Sequence, residues 1–338
     1  MCWRGGCANS RFGDGHTCLV NRSNRTQLGY VLVLLGVVGF SLNAGVSRIV
    51  LDAGMDAWTL SEVRAVGAAI VLGLVVTARR RRFPIRVARH HWPRLVLYGL
   101  VGLGLLQSFY FQAIARIPIG LAILIEFLAP LWVALWARFV QKQAVKPILW
   151  PALAVTLAGL TIVAGTQFDN LDPVGLGSAF LAGLCFAVYF IVGERLVAEH
   201  DPFVVSFWGF SIAAVAWSGA AVFWTRITPL WQIDYGQPAT LPAALGALVV
   251  PMGLLLLWIV GFGTVVPFAS ETAAMRWVPA TTVSVIAMLE PVGSAAIGWW
   301  WFDQRLEWFQ GFGAALVLAG IVMALLSRAE HPMPAVID

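Results

Sequence analysis

Ala122-Ile-Leu-Ile-Glu126-Phe-Leu-Ala-Pro130-Leu131 lies over Val283-Ser-Val-Ile-Ala287-Met-Leu-Glu290-Pro291-Val292 when the chain is shifted by 161 residues. The same shift, without a gap, puts Gly102 on Gly263, Pro118 on Pro279, Leu157 on Leu318 and Gly159 on Gly320. A second shift, of 147, puts Gly36 on Gly183, Arg48 on Arg195 and Asp52 on Glu199, which carries the repeat back to the first apolar segment. A longer loop in the second half, between about Arg226 and Thr240, accounts for the difference of 14 between the two shifts. Paired halves in a membrane protein predict a site at the interface between them.

Lipid is the solvent this composition demands. Of the 338 residues 59% are apolar and 12% charged, and the mean hydropathy is +0.81; soluble domains run nearer 45–50% apolar. Ten apolar runs stand out: 28–47, 57–78, 95–115, 119–140, 147–166, 174–193, 203–224, 250–276, 280–302 and 309–326. Each is long enough for a helix, rising about 1.5 Å per residue, to cross a hydrocarbon core of about 30 Å. The runs are continuously apolar rather than alternating, which excludes barrel strands.

Basic residues set the orientation. With the amino end cytoplasmic, most of the 22 lysines and arginines fall at cytoplasmic ends or loops. The heaviest cluster, Arg79, Arg80, Arg81, Arg82, Arg86, Arg89 and Arg94, lies between spans two and three, and Lys142 and Lys146 follow span four. This is the positive-inside pattern. The net charge of +5 therefore reports topology; without interleaved aromatics or a soluble fold to present it, the arginine run implies no nucleic-acid partner.

Five helices per half is an odd number, so span six begins where span one ended. The second half is then inverted about a pseudo-two-fold axis in the membrane plane. The predicted fold is all-α and integral to the membrane, with ten transmembrane helices as two inverted five-helix repeats. The first repeat is 28–166 and the second 174–327, with a disordered cytoplasmic tail over 1–27 and a second cytoplasmic tail over 328–338. Both termini are expected in the cytoplasm. The first tail carries Cys2, Cys7 and Cys18 with His16 at no recognisable ligand spacing, and Cys185 stands alone in span six. No metal, cofactor or disulfide framework is expected.

Three stretches then carry a family resemblance: Ala122 through Glu126 to Pro130; Phe186-Ala-Val-Tyr189 through Gly193-Glu194-Arg195 to Glu199-His200; and Pro267-Phe-Ala-Ser-Glu271 through Met288-Leu-Glu290-Pro291. Together with the duplicated ten-span plan they resemble the EamA-type drug/metabolite transporter superfamily, and within it the branch of inner-membrane threonine and homoserine exporters. The resemblance covers residues 28–327. It implies two antiparallel five-helix repeats, export of amino acids or related metabolites, and coupling to the proton gradient in some members. One departure is visible: after Trp301 the chain reads Phe-Asp303-Gln-Arg305-Leu where many members have Gly-Glu.

The charges that lipid should exclude are Glu62, Arg64, Glu126, Glu271 and Glu290. A charge at mid-bilayer costs at least about 2.5–3.5 kcal/mol, so such residues face the bundle interior and usually act in function. Glu290 lies near the midplane, and Pro291 after it frees the carbonyl of Ala287; an acid beside opened backbone can hold a proton, a cation or an ammonium group. In the first repeat the same proline is Pro130 but the acid's place is taken by Ala129. Glu271 stands one turn beyond Pro267, which frees the carbonyl of Gly263 and predicts a discontinuous span eight. Its structural alternative is an interfacial acid paired with Arg276. Glu126 and Arg64 enter from the same side at similar depth, so a Glu126–Arg64 pair is expected, serving either structure or a substrate carboxylate. Glu62 is expected in solvent. Asn43, Gln107, Tyr110, Gln112, Trp132, Trp136 and Tyr189 fill out the expected cavity, and Trp299, Trp300 and Trp301 the outer interface.

Three functions fit such a chain. The first is a secondary transporter exporting amino acids or similar small metabolites across the cytoplasmic membrane by alternating access, with proton exchange at a glutamate. The second is the same fold exporting cationic drugs or other metabolites, which would want an acid without a basic neighbour. The third is an integral-membrane transferase; it wants His, Asp or Cys constellations at one face, whereas His16, His90, His91, His200 and His331 sit in tails or loops. No phosphate loop is present, and the chain is not expected to be an enzyme. The expected partners are a small-molecule substrate, protons and the bilayer.

Overall fold

The computed structural model describes residues 15–78, 85–114, 116–117, 119–143, 146–164, 172–223, 228, 230–303 and 308–326, with the side chains of 15–24, 119–121, 163–164 and 325–326 excepted. The cluster Arg79–Arg82, Cys2, Cys7 and both outermost tails lie outside the described residues. Helices follow one another almost without interruption: α1 Gly15–Asp52, α2 Ala57–Ala78, α3 Arg89–Ile114, α4 Ile119–Glu126, α5 Ala129–Leu135, α6 Leu149–Ala164, α7 Pro173–Glu199 and α8 Pro202–Phe223. A small antiparallel ribbon of β1 Pro238–Thr240 and β2 Val249–Pro251 then precedes α9 Met252–Ala274, α10 Ala280–Ala287, α11 Glu290–Phe302 and α12 Trp308–Leu326.

Among the described residues eight helical segments are long and apolar enough to cross a membrane, counting α4 with α5 and α10 with α11 as one each; α6 and α12 carry shorter apolar stretches, Leu149–Ile162 and Trp308–Ala324. Their outward surfaces are apolar, as at Leu74, Val215, Leu257 and Phe262, each more than half exposed. Such a surface is suited to lipid rather than to water. α1 starts at Gly15 rather than at residue 28, which shortens the expected tail. No proline or glycine interrupts residues 16–28, so nothing stops the helix from extending outward.

The breaks in the helices are chemically specific. Both Pro130 and Pro291 lack an N–H, and each interrupts its span: the chain leaves helix at Phe127-Leu128 and again at Met288-Leu289, positions 161 apart. Span eight differs from the expected discontinuous helix. Pro267 is absorbed by a π turn over Gly261–Val265, in which the Val266 N–H reaches back five residues to Gly261 O, so the helix stays continuous. A π segment also occupies Tyr98–Leu105 in α3, the counterpart under the same shift.

Packing repeats across the halves. α1 lies against α9, α10 and α11, while α7 lies against α3, α4 and α5; α2 meets α8, and α6 meets α12. At two crossings related by the shift of 161 the residue is glycine in both halves: a Cβ on Gly102 would sit 3.0 Å from the Tyr189 backbone in α7, and one on Gly263 would strike the Asn43 side chain in α1. Asp56 and Asp201 likewise accept from the backbone N–H two residues on, at Trp58 and Phe203, capping α2 and α8.

Candidate functional site

Between the two interrupted spans and α1, α2, α3 and α7 lies a cavity of about 120 Å³. A water fills on the order of 10–15 Å³ by this measure, so the space suits a solute of roughly ten heavy atoms. Six of the expected site residues line it: Asn43, Arg64, Gln107, Tyr110, Glu126 and Glu290. The walls also include Phe40, Phe127, Phe186 and Phe268, which supply an apolar surface beside the polar groups.

Position along each helix explains the constellation. Glu126 is the last residue of α4 and Glu290 the first of α11, so the two acids flank equivalent breaks from opposite sides. Asn43 and Ser47 are one turn apart on α1, and Ser47 Oγ donates to Asn43 Oδ1 at 3.4 Å. Ser41 Oγ reaches the Glu290 carbonyl at the same separation, tying α1 to the break. Gln107 and Tyr110 share one face of α3.

Arg64 does not take the expected partner. Its Nε donates to Thr264 Oγ1 at 2.9 Å and its Nη2 to Gly263 O at 3.2 Å, while the guanidinium carbon lies 5.7 Å from the Phe111 ring centre. The Gly263 carbonyl is the one Pro267 releases, so a buried arginine fills the vacancy that proline creates. Among the described residues no ion pair joins Arg64 to Glu126. Two of the five guanidinium N–H groups serve α9, and the cation still faces the cavity.

Glu271 is fully buried but lies behind the wall rather than in it. It packs against Gly36 of α1, and both its oxygens lack a hydrogen-bond partner, as does Oε1 of Glu290, which lies within electrostatic reach. Arg276, its alternative partner, instead meets Asp201 at 3.9 Å. Tyr189 is also outside the cavity. Its ring stacks on Tyr98 at 5.5 Å, and both phenols share Thr272 Oγ1, at 2.9 Å from Tyr98 and 3.2 Å from Tyr189. Trp132 packs edge-on to Phe180 at 5.9 Å, away from the lining. Glu62 is 2% exposed rather than solvated, and Trp301 is buried against Gly45 while Trp299 and Trp300 face outward. Ser47, Arg48 and Ser294 line the cavity without having been expected there; Ser47 was findable, one helical turn after Asn43.

Comparison with known proteins adds family to geometry. The model of the EamA-like transporter family matches residues 27–165 and again 173–326. The chain is 26% identical over 265 residues to the threonine/homoserine exporter RhtA of Salmonella typhimurium, covering 78% of this chain and 82% of that protein. It is 27% identical over 254 residues to the exporter of that name from Escherichia coli K12, covering 75% and 78%. It is 27% identical over 259 residues to the pseudopaline exporter CntI of Pseudomonas aeruginosa, covering 75% and 80%. One solved crystal structure overlays with a TM-score of 0.68 at 19% identity, over 90% of this chain and 99% of that one.

Proposed function

The chain belongs to the EamA-like transporter family, and from that premise we propose that it exports amino acids or related small metabolites across the cytoplasmic membrane by proton-coupled alternating access. In this reading α6 and α12 also cross, making ten spans in two inverted halves, 28–166 and 174–327, with both termini cytoplasmic. The single observation that carries the reading is a cavity lined by both signs of charge, Glu126 and Glu290 with Arg64. A cationic drug would want acids without a basic neighbour, whereas a zwitterion uses both.

Each group then has a role. Arg64 faces the substrate carboxylate, with its remaining donors aimed by the two bonds to α9. The ammonium group meets Glu126 or Glu290. Glu290 takes the proton: it is the acid that lines the cavity at the helix break before Pro291, with the second buried acid, Glu271, behind the wall. Inversion lets the halves exchange conformations, so that opening one side closes the other. The relatives named as exporters of threonine and homoserine, molecules bearing amino and carboxyl groups, support the substrate class.

The test is uptake or release of a labelled amino-acid panel by proteoliposomes under an imposed pH gradient. At least one zwitterion should move with the gradient, and Glu290→Gln should abolish the pH-driven component while exchange of substrate persists. A flat panel, or full gradient-driven export by Glu290→Gln, overturns the assignment.

A further inference from the structure

Sequence spacing offered no metal site, yet folding brings histidines and an acid from the two halves together. His90 and His91 form the 3-10 turn that opens α3, and Glu199 is the last residue of α7. One ligand atom from each of His90, His91 and Glu199 lies within 4.8 Å of the others. His91, nearly buried, has Nε2 3.0 Å from Glu199 Oε2, and the two imidazoles are 3.8 Å apart between ring centres. His200 sets its ring edge-on to His91 at 4.7 Å, and its Nε2 is buried without a hydrogen-bond partner. A buried ring nitrogen beside three ligand-type groups is a donor or acceptor that lacks its counterpart.

We propose that His90, His91 and Glu199 bind a zinc-class divalent cation, and that the ion ties the first half of the bundle to the second. The donor set is two imidazoles and a carboxylate, which suits zinc and its neighbours and not magnesium or calcium, whose ligands are oxygens. Tetrahedral zinc at about 2.0–2.1 Å from each donor places donors roughly 3.3–3.5 Å apart. His90 is exposed and Glu199 half-exposed, so modest rotations close the set. Arg94 Nη1 lies 3.6 Å from the other Glu199 oxygen, Oε1; it orients the carboxylate so that Oε2 remains for the ion. The open fourth position falls to water or to His200. Because α3 and α7 belong to different halves, an ion here must be released or carried along whenever those helices move apart.

The experiment uses the untagged full chain in nanodiscs, stripped with chelator and titrated with zinc chloride, with bound zinc counted and thermal unfolding followed. One equivalent of zinc should bind and raise Tm. The double variant His90→Asn/Glu199→Gln should lose that equivalent and the zinc-dependent rise, while a chain with Cys2, Cys7 and Cys18 changed to Ser and His16 to Ala keeps both. Should the double variant not fold, His90→Asn alone, at an exposed ring, makes the same comparison. Zinc that stays in the His90/Glu199 variant, or that vanishes with the amino-terminal cysteines, overturns the site; zinc that binds without changing Tm overturns the tie between halves.

Discussion

Arg64 shows how far one buried charge can be understood from its neighbours. Its depth and its sign were legible, since an arginine inside an apolar run has to face the interior. Its partner was not, because the choice between a carboxylate and a proline-freed carbonyl depends on how α2 meets α9, which no local pattern encodes. The guanidinium is seated by Thr264 Oγ1 and Gly263 O, and removing it leaves a buried carbonyl unpaired, at a cost of about 1–3 kcal/mol. Arg64→Gln and Thr264→Val should therefore each destabilise the detergent-solubilised protein. The double variant should lose less than the sum, with a coupling of about 0.5–3 kcal/mol in thermal or denaturant unfolding. Additive losses would mean the guanidinium is not held there. The same reasoning explains Glu62: near a span's end it reads as solvated, but α8 covers it, and only the tertiary contact between α2 and α8 reveals that.

At the scale of elements, prolines announced where helices yield, and the outcome depended on what else could accept the strain. Pro130 and Pro291 break their spans, whereas Pro267 follows Gly261 and Gly263, whose missing side chains let the backbone widen into a π turn. Sequence marks the proline; the choice between break and bulge lies in the packing around it. Glycines divide in the same way. A Cβ on Gly159 of α6 would sit 2.6 Å from Gly313 O and 2.7 Å from Val317 N, both backbone atoms of α12, whereas one on Gly177 of α7 meets nothing within 4 Å. Gly159→Ala should thus lower stability by about 1–3 kcal/mol by forcing α6 from α12. Gly177→Ala should leave stability unchanged or raise it by up to about 1 kcal/mol through helix propensity. Equal melting temperatures for the two variants would show that α6 and α12 do not meet at this crossing.

For the whole molecule, the internal repeat was the most legible feature because apolar length, proline and glycine recur at fixed shifts, and the reciprocal packing of α1 and α7 on the opposite half follows the same correspondence. The cavity's occupants were legible in part, since polar residues on apolar helices narrow the choice to a few, yet which ring of Tyr110, Tyr189 and Trp132 faces the space is decided by helix rotation. Inversion makes a demand that contact geometry alone does not test. Asp52 closes α1, Ala198 is one residue short of the end of α7, and the shift of 147 sets Asp52 on Glu199; inverted halves must put these two ends on opposite faces of the bilayer. In a chain with Cys2, Cys7, Cys18 and Cys185 replaced by Ser, single cysteines at Asp52→Cys and Ala198→Cys are both on exposed positions. A membrane-impermeant maleimide applied to intact cells should label Asp52→Cys fully and Ala198→Cys only after permeabilisation. Labelling of both from outside would make the halves parallel, and a cavity opened by exchanging mirrored conformations would no longer be available to this fold.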